Sequence, residues 1–309
     1  MILCVTPNTA IDRTLIVPGF RAGEVLHAER ALVVAGGKGL NVARAIRLLG
    51  GEARCAGFLG GHSGRLFAEL AEREGLRGAW TWIAHETRTC VIIVEPKNGQ
   101  ATGIYEPGAT VSLEDWARLQ ADVLRESTDA SAVCLSGSLP SGVPPKAFAD
   151  LIASLGAAGQ RVWVDTSGAA LQAALTARPF GIKVNNSEVS AILGREVHSV
   201  AAALEVADEL RRAGTALVAL TLGASGAVLV SETECWHAQP PPVRTMSSVG
   251  SGDAFLAGLV TGLECESGFS EALRRAVAAG TANALSAGGG QFAMADFNRL
   301  LRETAIRQY

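Results

Sequence analysis

The chain has 309 residues, a formal net charge of −3, 48% hydrophobic residues and 18% charged residues. That is enough apolar material for one large α/β domain or two ordinary ones. The absence of a basic excess argues against a nucleic-acid partner, and no run of about 18 apolar residues marks a membrane span. The six cysteines, Cys4, Cys55, Cys90, Cys134, Cys235 and Cys265, are scattered and include no C-x-x-C pair. They point to neither a zinc site nor a dithiol redox site, and read as reduced, mostly buried thiols of a cytoplasmic protein.

In chain order, the apolar opening 2–5 predicts a buried strand rather than a signal peptide, since it lacks a basic n-region and a small-residue cleavage site. Short β-like pieces, TLIV and ALVV, lie between residues 13 and 34, broken by Pro18, Gly19 and Gly23. Helical spacing over 40–49 ends at Gly50-Gly51. A strand at ARCAGFLG, a helix over 65–74 and a strand at TRTCVIIVEP follow, then a turn at Lys97-Asn98-Gly99 and a strand near ATGIYEP, which form a hairpin. From residue 111 the alternation is cleaner. Helices over 114–126, 144–158, 170–177 and 200–213 are interleaved with strands at SAVCLSG, RVWVDTSG, GIKVN and ALVALTLG. Repeated β-α-β units predict a mainly parallel sheet with helices on both faces. A hairpin at GAVLVS and residues 234–237 precedes two long helices over 253–263 and 271–285.

Two glycine-rich stretches carry the chemical signal. Ser247-Ser248-Val249-Gly250-Ser251-Gly252-Asp253 runs straight into an apolar helix. Glycines allow a tight turn and a close ligand approach, and the free N–H groups of a helix start bind anions. Asp253 reads there either as a helix cap or as a catalytic carboxylate. Ala35-Gly36-Gly37-Lys38-Gly39-Leu40-Asn41 also meets a helix start. It is not a Walker A loop, because Gly39 follows Lys38, and it lacks the Rossmann G-x-G-x-x-G spacing.

Together GGKGLNVARAI at 36–46 and VGSGDAFLAGL at 249–259 resemble the two signatures of the ribokinase-like PfkB carbohydrate kinases. Between them lie further ordered stretches of the same kind: Thr87-Arg88-Thr89, Ser136-Gly137-Ser138-Leu139-Pro140, Lys183-Val184-Asn185-Asn186-Ser187-Glu188 and Thr221-Leu222-Gly223-Ala224-Ser225-Gly226. The T-P-N-T-A-I-D opening and T-R-T-C-V-I-I-V resemble the hexose-phosphate branch, which holds 1-phosphofructokinase and tagatose-6-phosphate kinase. The resemblance implies a single three-layer α/β/α kinase domain over 1–309, with a β-sheet lid built from 13–35 and 87–106. It implies transfer of phosphoryl from ATP, with Mg²⁺, to a ketohexose phosphate, giving a 1,6-bisphosphate. The acceptor is fructose 1-phosphate, tagatose 6-phosphate or fructose 6-phosphate.

The same resemblance assigns roles. Asp253 is the general base, and the backbone of Gly250, Ser251 and Gly252 holds the transferring phosphoryl oxygens. Asp12, Gly36, Gly37, Lys38 and Asn41 take the sugar, with Arg88 and Ser138 at its phosphate. Lys183, Asn185, Thr221, Gly223, Ser225, Gly226 and Asn283 meet ATP, while Asn185 and Glu188 organise Mg²⁺ through water. A homodimer through the lid is the implied assembly. Three departures bear on acceptor choice and turn chemistry. Leu26 and His27 stand where the branch carries Asn and Arg. Tyr105-Glu106-Pro107-Gly108 stands for N-E-P-G, and Ser251 replaces an Ala. Two rival readings stay open: a kinase of an unphosphorylated sugar or nucleoside, and a sugar-phosphate or nucleotide sensor without catalysis.

Overall fold

The computed structural model describes every residue except Asn98, so the turn expected at 97–99 lies partly outside the described residues. The first half contains β1 (Ile2–Thr6), β2 (Ala10–Ile16), β3 (Arg30–Gly36), α1 (Lys38–Leu48), β4 (Ala53–Gly60), α2 (Gly61–Arg73), β5 (Arg77–Ile83), β6 (Arg88–Glu95), β7 (Gln100–Tyr105), α3 (Leu113–Ser127), β8 (Ala132–Ser136) and α4 (Pro145–Ala157). The second half contains β9 (Val162–Asp165), α5 (Gly168–Thr176), β10 (Gly181–Asn185), α6 (Asn186–Leu193), α7 (Val200–Arg212), β11 (Leu217–Thr221), β12 (Ala227–Val230), β13 (Cys235–Gln239), α8 (Ser251–Glu264), α9 (Gly268–Ala284), α10 (Met294–Glu303) and β14 (Ala305–Gln308).

Ten strands form the central sheet in the order β14-β13-β12-β11-β10-β9-β8-β1-β4-β5. The seven from β11 to β5 pair in parallel, and the last three pair antiparallel as an appended meander. Side chains alternate across this sheet, as the period of two requires. Cys4, Cys55, Cys134 and Ala219 point into one core with α1, α2, α8, α9 and α10. Leu3, Val5, Leu135, Val164, Val184 and Leu220 point into another with α3 to α7. The three-layer α/β/α architecture expected from the sequence is therefore present. A small second sheet is also present, four strands in the order β3-β2-β6-β7.

Four elements escaped the sequence reading: β5, α6, α10 and β14. Strand β5 (RGAWTWI) is a sheet edge with mixed burial, which blurs its apolar period. Helix α2 starts at Gly61 rather than near 65, because the exposed Glu86 carboxylate caps it from outside, accepting from the His62 and Ser63 N–H groups at 2.9 and 2.8 Å. No local pattern announces a cap supplied from 24 residues away. Among the described residues no helix is long and apolar enough to cross a membrane.

The topology concentrates polar chain ends. Strand β1 is flanked by β8 on one side and β4 on the other, so the direction of winding reverses there. Loops beyond the carboxyl ends of strands at such a switch point diverge and leave a crevice. The ends of β8, β9, β10 and β11 and the loops beyond them carry Ser138, Asp165, Asn185, Thr221 and the turn at 223–226, while Asp12 and Arg88 come from the second sheet and Lys38, Asn41 and Asp253 from the starts of α1 and α8.

Candidate active site

Helix α8 supplies the floor. Ten of its residues from Asp253 to Gly262 are buried, so its position is fixed by packing on several sides rather than by an amphipathic face. Its N-cap, Gly250, has φ of +79°, a left-handed backbone that glycine adopts without Cβ strain. In the first turn the Ser251 N–H donates to the Ser248 carbonyl at 3.2 Å, while the Gly252 and Asp253 N–H groups have no intrahelical acceptor. Beneath the turn lies a cation: a β-carbon on Gly252 would stand 2.5 Å from Lys183 Nζ. Backbone donors, the positive end of the helix and an ammonium thus converge on one small volume, an arrangement suited to a phosphoryl group.

Asp253 is 5% exposed. Its Oδ2 accepts a 2.8 Å hydrogen bond from Asn41 Nδ2. Burial pushes the carboxyl above the ordinary aspartate range. Lys38, the Asn41 hydrogen bond and Lys183 pull against that, while Asp165 adds to it. The result is a more basic carboxylate than a solvated one, which favours accepting a proton.

Asn41 is held in turn by a residue that sequence reasoning passed over. Arg44, one helical turn along α1, donates Nη1 to Asn41 Oδ1 at 2.9 Å and to the Gly289 carbonyl at 3.0 Å. Its Nη2 meets the Ala35 carbonyl at 2.7 Å, and Nε pairs with Glu74. With Asn41 Oδ1 engaged by a guanidinium, the amide can only present Nδ2 to Asp253. The spacing i, i+3 on a helix was the available signal. Gly289 and Gly290, which pack on Asn41, were equally unread.

Asp165, at the end of β9, was also passed over. It is fully buried. Lys38 Nζ lies 2.9 Å from its Oδ1, and Lys183 Nζ lies 3.4 Å from each of its oxygens. Burial alone would raise this carboxyl, but Lys183 and Lys38 outweigh it and hold it below the ordinary range. Burial works against the Lys38 ammonium, yet Asp165, Asp253 and Glu188 together raise its pKa. The only sequence trace of this pair was an aspartate ending an apolar strand, VWVD.

Asp12, on β2, faces this floor from the second sheet. Its carboxylate packs directly against Gly36, and Gly37 N–H donates to Oδ2 at 3.4 Å. Burial pushes it up to about 6. The Gly37 donor, Arg44 and Arg88 oppose that, and the Asp253 charge adds to it. Arg88, on β6, donates Nη2 to the Asn8 carbonyl at 3.1 Å and Nη1 to the Glu106 carbonyl at 3.3 Å. Among the described residues its Nε is buried without a partner, which leaves one donor of a cationic fork for an anion. Asn8 also donates to Ser138 Oγ at 3.1 Å. It thereby joins the two residues assigned to the sugar phosphate, although it was not itself among them. Leu26 and His27 lie in the irregular loop between β2 and β3, with His27 exposed.

On the other side, Asn185 and Glu188 form a capping box on α6. Asn185 Oδ1 accepts from the Glu188 N–H at 2.8 Å, and Glu188 Oε2 accepts from the Asn185 N–H at 2.9 Å. The Asn185 oxygen is thus engaged, whereas Glu188 Oε1 points toward Lys38 Nζ at 3.8 Å. Among the described residues no cluster of three or more His, Cys, Asp or Glu side chains could enclose a metal ion. Glu188 Oε1 is the oxygen of this pair that the capping box leaves to other partners. Thr221 pairs in register with Asn185, and the turn Gly223–Ser225 with Gly226 continues the same rim. Asn283 stands apart: it is fully buried. Its Nδ2 donates to the Val249 carbonyl at 2.8 Å and its Oδ1 accepts from the Gln291 N–H at 3.2 Å. It braces the turn from behind rather than facing the crevice.

This geometry has close counterparts. The profile of the pfkB family carbohydrate kinases matches residues 3–295. The chain is 40% identical over 262 residues to a protein named 1-phosphofructokinase from Rhodobacter capsulatus, covering 84% of this chain and 82% of that one. It is 35% identical over 274 residues to the 1-phosphofructokinase of Escherichia coli K12, covering 89% and 88%. Among solved structures, phosphofructokinase-2 from Escherichia coli in complex with fructose-6-phosphate superposes with a TM-score of 0.89 at 30% identity, over 97% of this chain and 98% of that one. The chain belongs to the pfkB family of carbohydrate kinases.

Proposed function

We propose that this kinase transfers the γ-phosphoryl group of Mg·ATP to a hydroxyl of a ketohexose phosphate, giving the 1,6-bisphosphate. The carrying observation is the pairing of a buried, Asn41-bound Asp253 at the start of α8 with an Arg88 fork on the second sheet whose Nε, among the described residues, has no partner. One end of the crevice is built to take a proton and the other to take an anion. The relatives named 1-phosphofructokinase, and the relative crystallised with fructose-6-phosphate, support a phosphorylated ketohexose as the acceptor.

In this reading Arg88, Asn8 and Ser138 grip the acceptor phosphate, and Asp12 accepts hydrogen bonds from sugar hydroxyls with Gly36 and Gly37 beside it. Asp253 accepts the proton of the attacking hydroxyl as the new O–P bond forms and the bond from the γ-phosphorus to the ADP oxygen breaks. The proton then leaves Asp253 for solvent. The N–H groups of Gly252 and Asp253, with Lys183 beneath, hold the transferring oxygens on the turn that Gly250 and Ser251 shape, and Lys38 steadies the charge from the α1 side. Thr221, Gly223, Ser225 and Gly226 bear on the nucleotide, with Asn283 shaping the turn. Asn185 orients Glu188, which meets the hydrated Mg²⁺ of the nucleotide.

The rest of the reading concerns the whole chain. It is a single kinase domain with 13–35 and 87–106 as the lid. Two copies pair through that lid, supported by the neighbouring Val91, half-buried, and Ile104, 59% exposed, with the exposed Arg13 next in the same row. A tetrameric inhibited form is known for the related phosphofructokinase-2 of Escherichia coli. Six unpaired cysteines fit a cytoplasmic setting. Asp253→Asn keeps an acceptor for the Asn41 amide but cannot take a proton. Turnover, followed as ADP release, is expected to fall roughly 10²–10⁴-fold with acceptor binding retained. Retention of more than about a tenth of native turnover removes Asp253 as the base.

A further inference from the structure

Strand β7 carries a side chain that the roles above leave unused. Register places Asp12, Cys90 and Tyr105 in one row: Asp12 pairs with Cys90, and Cys90 pairs with Tyr105. Residues directly opposite in a sheet issue from the same face. Tyr105 therefore shares the face of Asp12 and, two residues back along β6, of Arg88. Neighbouring strands lie about 4.8 Å apart, so Tyr105 starts about 10 Å from Asp12 across the row, with Cys90 on the strand between them.

The ring has a prepared bed. It folds back along β7 over Gly103, where a β-carbon would meet Cζ and Oη at 2.6 Å. Tyr105 is 60% exposed, and among the described residues its hydroxyl has no recorded hydrogen-bond partner. An exposed phenol lying on a glycine, on the inner face of a lid, is poised for a ligand rather than for the core. Burial and the nearby Cys90 and Asp12 raise its pKa, with Asp253 adding to this and Arg88 opposing. The hydroxyl thus feels both carboxylates of the crevice and keeps its proton to donate.

We propose that Tyr105 contacts the acceptor directly and takes part in selecting it. The ring forms the outer wall of the acceptor site, and the hydroxyl donates a hydrogen bond to an anionic oxygen of a sugar phosphate. This rests on the functional reading above and adds the residue that distinguishes this chain's Y-E-P-G from the N-E-P-G of the branch it resembles.

The test is steady-state kinetics of Tyr105→Phe and Tyr105→Ala, each with the acceptor that the native protein turns over best. Tyr105→Phe is expected to raise the acceptor KM about 10-fold with kcat held within about twofold, and Tyr105→Ala to raise it further. The KM for ATP stays put, and the retained kcat excludes a general loss of folding, which would lower apparent turnover and leave KM unchanged. Acceptor KM values within about twofold of native in both variants overturn the proposal. A change in dimer population on sedimentation with unchanged KM also overturns it, assigning Tyr105 to the lid contact instead. The native ranking of acceptors judges the functional reading, whereas the variant-to-native ratio on the leading acceptor judges Tyr105, so the two fail separately.

Discussion

The floor of the crevice and its lid are built in opposite ways. On the floor, Asp165, Lys183, Asn41 and Asp253 are all buried, and each has named partners. On the lid, Arg88 keeps a donor unpaired, Tyr105 is exposed, and β7 is an edge strand with little burial. Chemistry that requires charges fixed before reaction belongs in the first kind of setting. Choice among acceptors belongs in the second, where a side chain can change without unbalancing a buried network. The difference predicts that floor substitutions strike turnover and stability, while lid substitutions strike acceptor KM.

The strongest way to break this comparison is at Asp165. Replacing it with Asn leaves the buried Lys183 and the half-exposed Lys38 without their shared anion. Stripping one side of a buried charge pair costs about 3 kcal/mol, so chemical denaturation should reveal a large loss of stability together with lost turnover. A variant as stable as the native protein would show that the floor is not a charge-balanced unit. Next comes Arg88→Met, which removes the lid's fork but leaves the floor intact. Acceptor KM should rise about 30-fold, with the ATP KM unchanged and the melting temperature within a few degrees. A fall in kcat with KM unchanged would move Arg88 from binding to chemistry.

Asp12 sharpens the comparison because it belongs to both regions. Its folded pKa, about 6, lies above the usual carboxylate value of about 3.9 expected in the unfolded chain. The folded state therefore holds a proton that the unfolded chain releases between those values. The stability this contributes is fully present below about pH 4 and is lost as pH rises through about 6. Asp12→Asn should accordingly melt higher than the native protein at pH 8, with that gain absent at pH 4. Acceptor kcat/KM of the native protein should fall as pH drops through about 6, and the variant, already weak, should lose that limb. A native profile flat from pH 5 to 8 would show that ionised Asp12 does not bind the acceptor.

Much of this was legible in the sequence, and what was not has physical reasons. The parallel sheet could be read because its strands alternate with amphipathic helices of ordinary length. At Asp253 glycine and helix onset coincide, which left a cap and a catalytic carboxylate both open, and the resemblance of 249–259 to a family signature pointed to the carboxylate. Arg44 and Asp165 could not: a buried arginine inside an apolar helix and an aspartate closing an apolar strand look local, while their partners lie up to 245 residues away. Glu188 and Asn185 were read as metal organisers. The structure adds that their first duty is a capping box, since one pair of side chains can serve the helix with some oxygens and leave one free.

The most direct test is ADP release with Mg·ATP across fructose 1-phosphate, fructose 6-phosphate, tagatose 6-phosphate, free fructose, ribose and adenosine, ranked by kcat/KM. A ketohexose phosphate should lead every unphosphorylated acceptor by at least about 100-fold, roughly 2.7 kcal/mol of transition-state discrimination. A leading free sugar or nucleoside would contradict the phosphate-binding role of the lid and mark Leu26 and His27 as a changed specificity. Binding without turnover of any of them would contradict the assignment of Asp253.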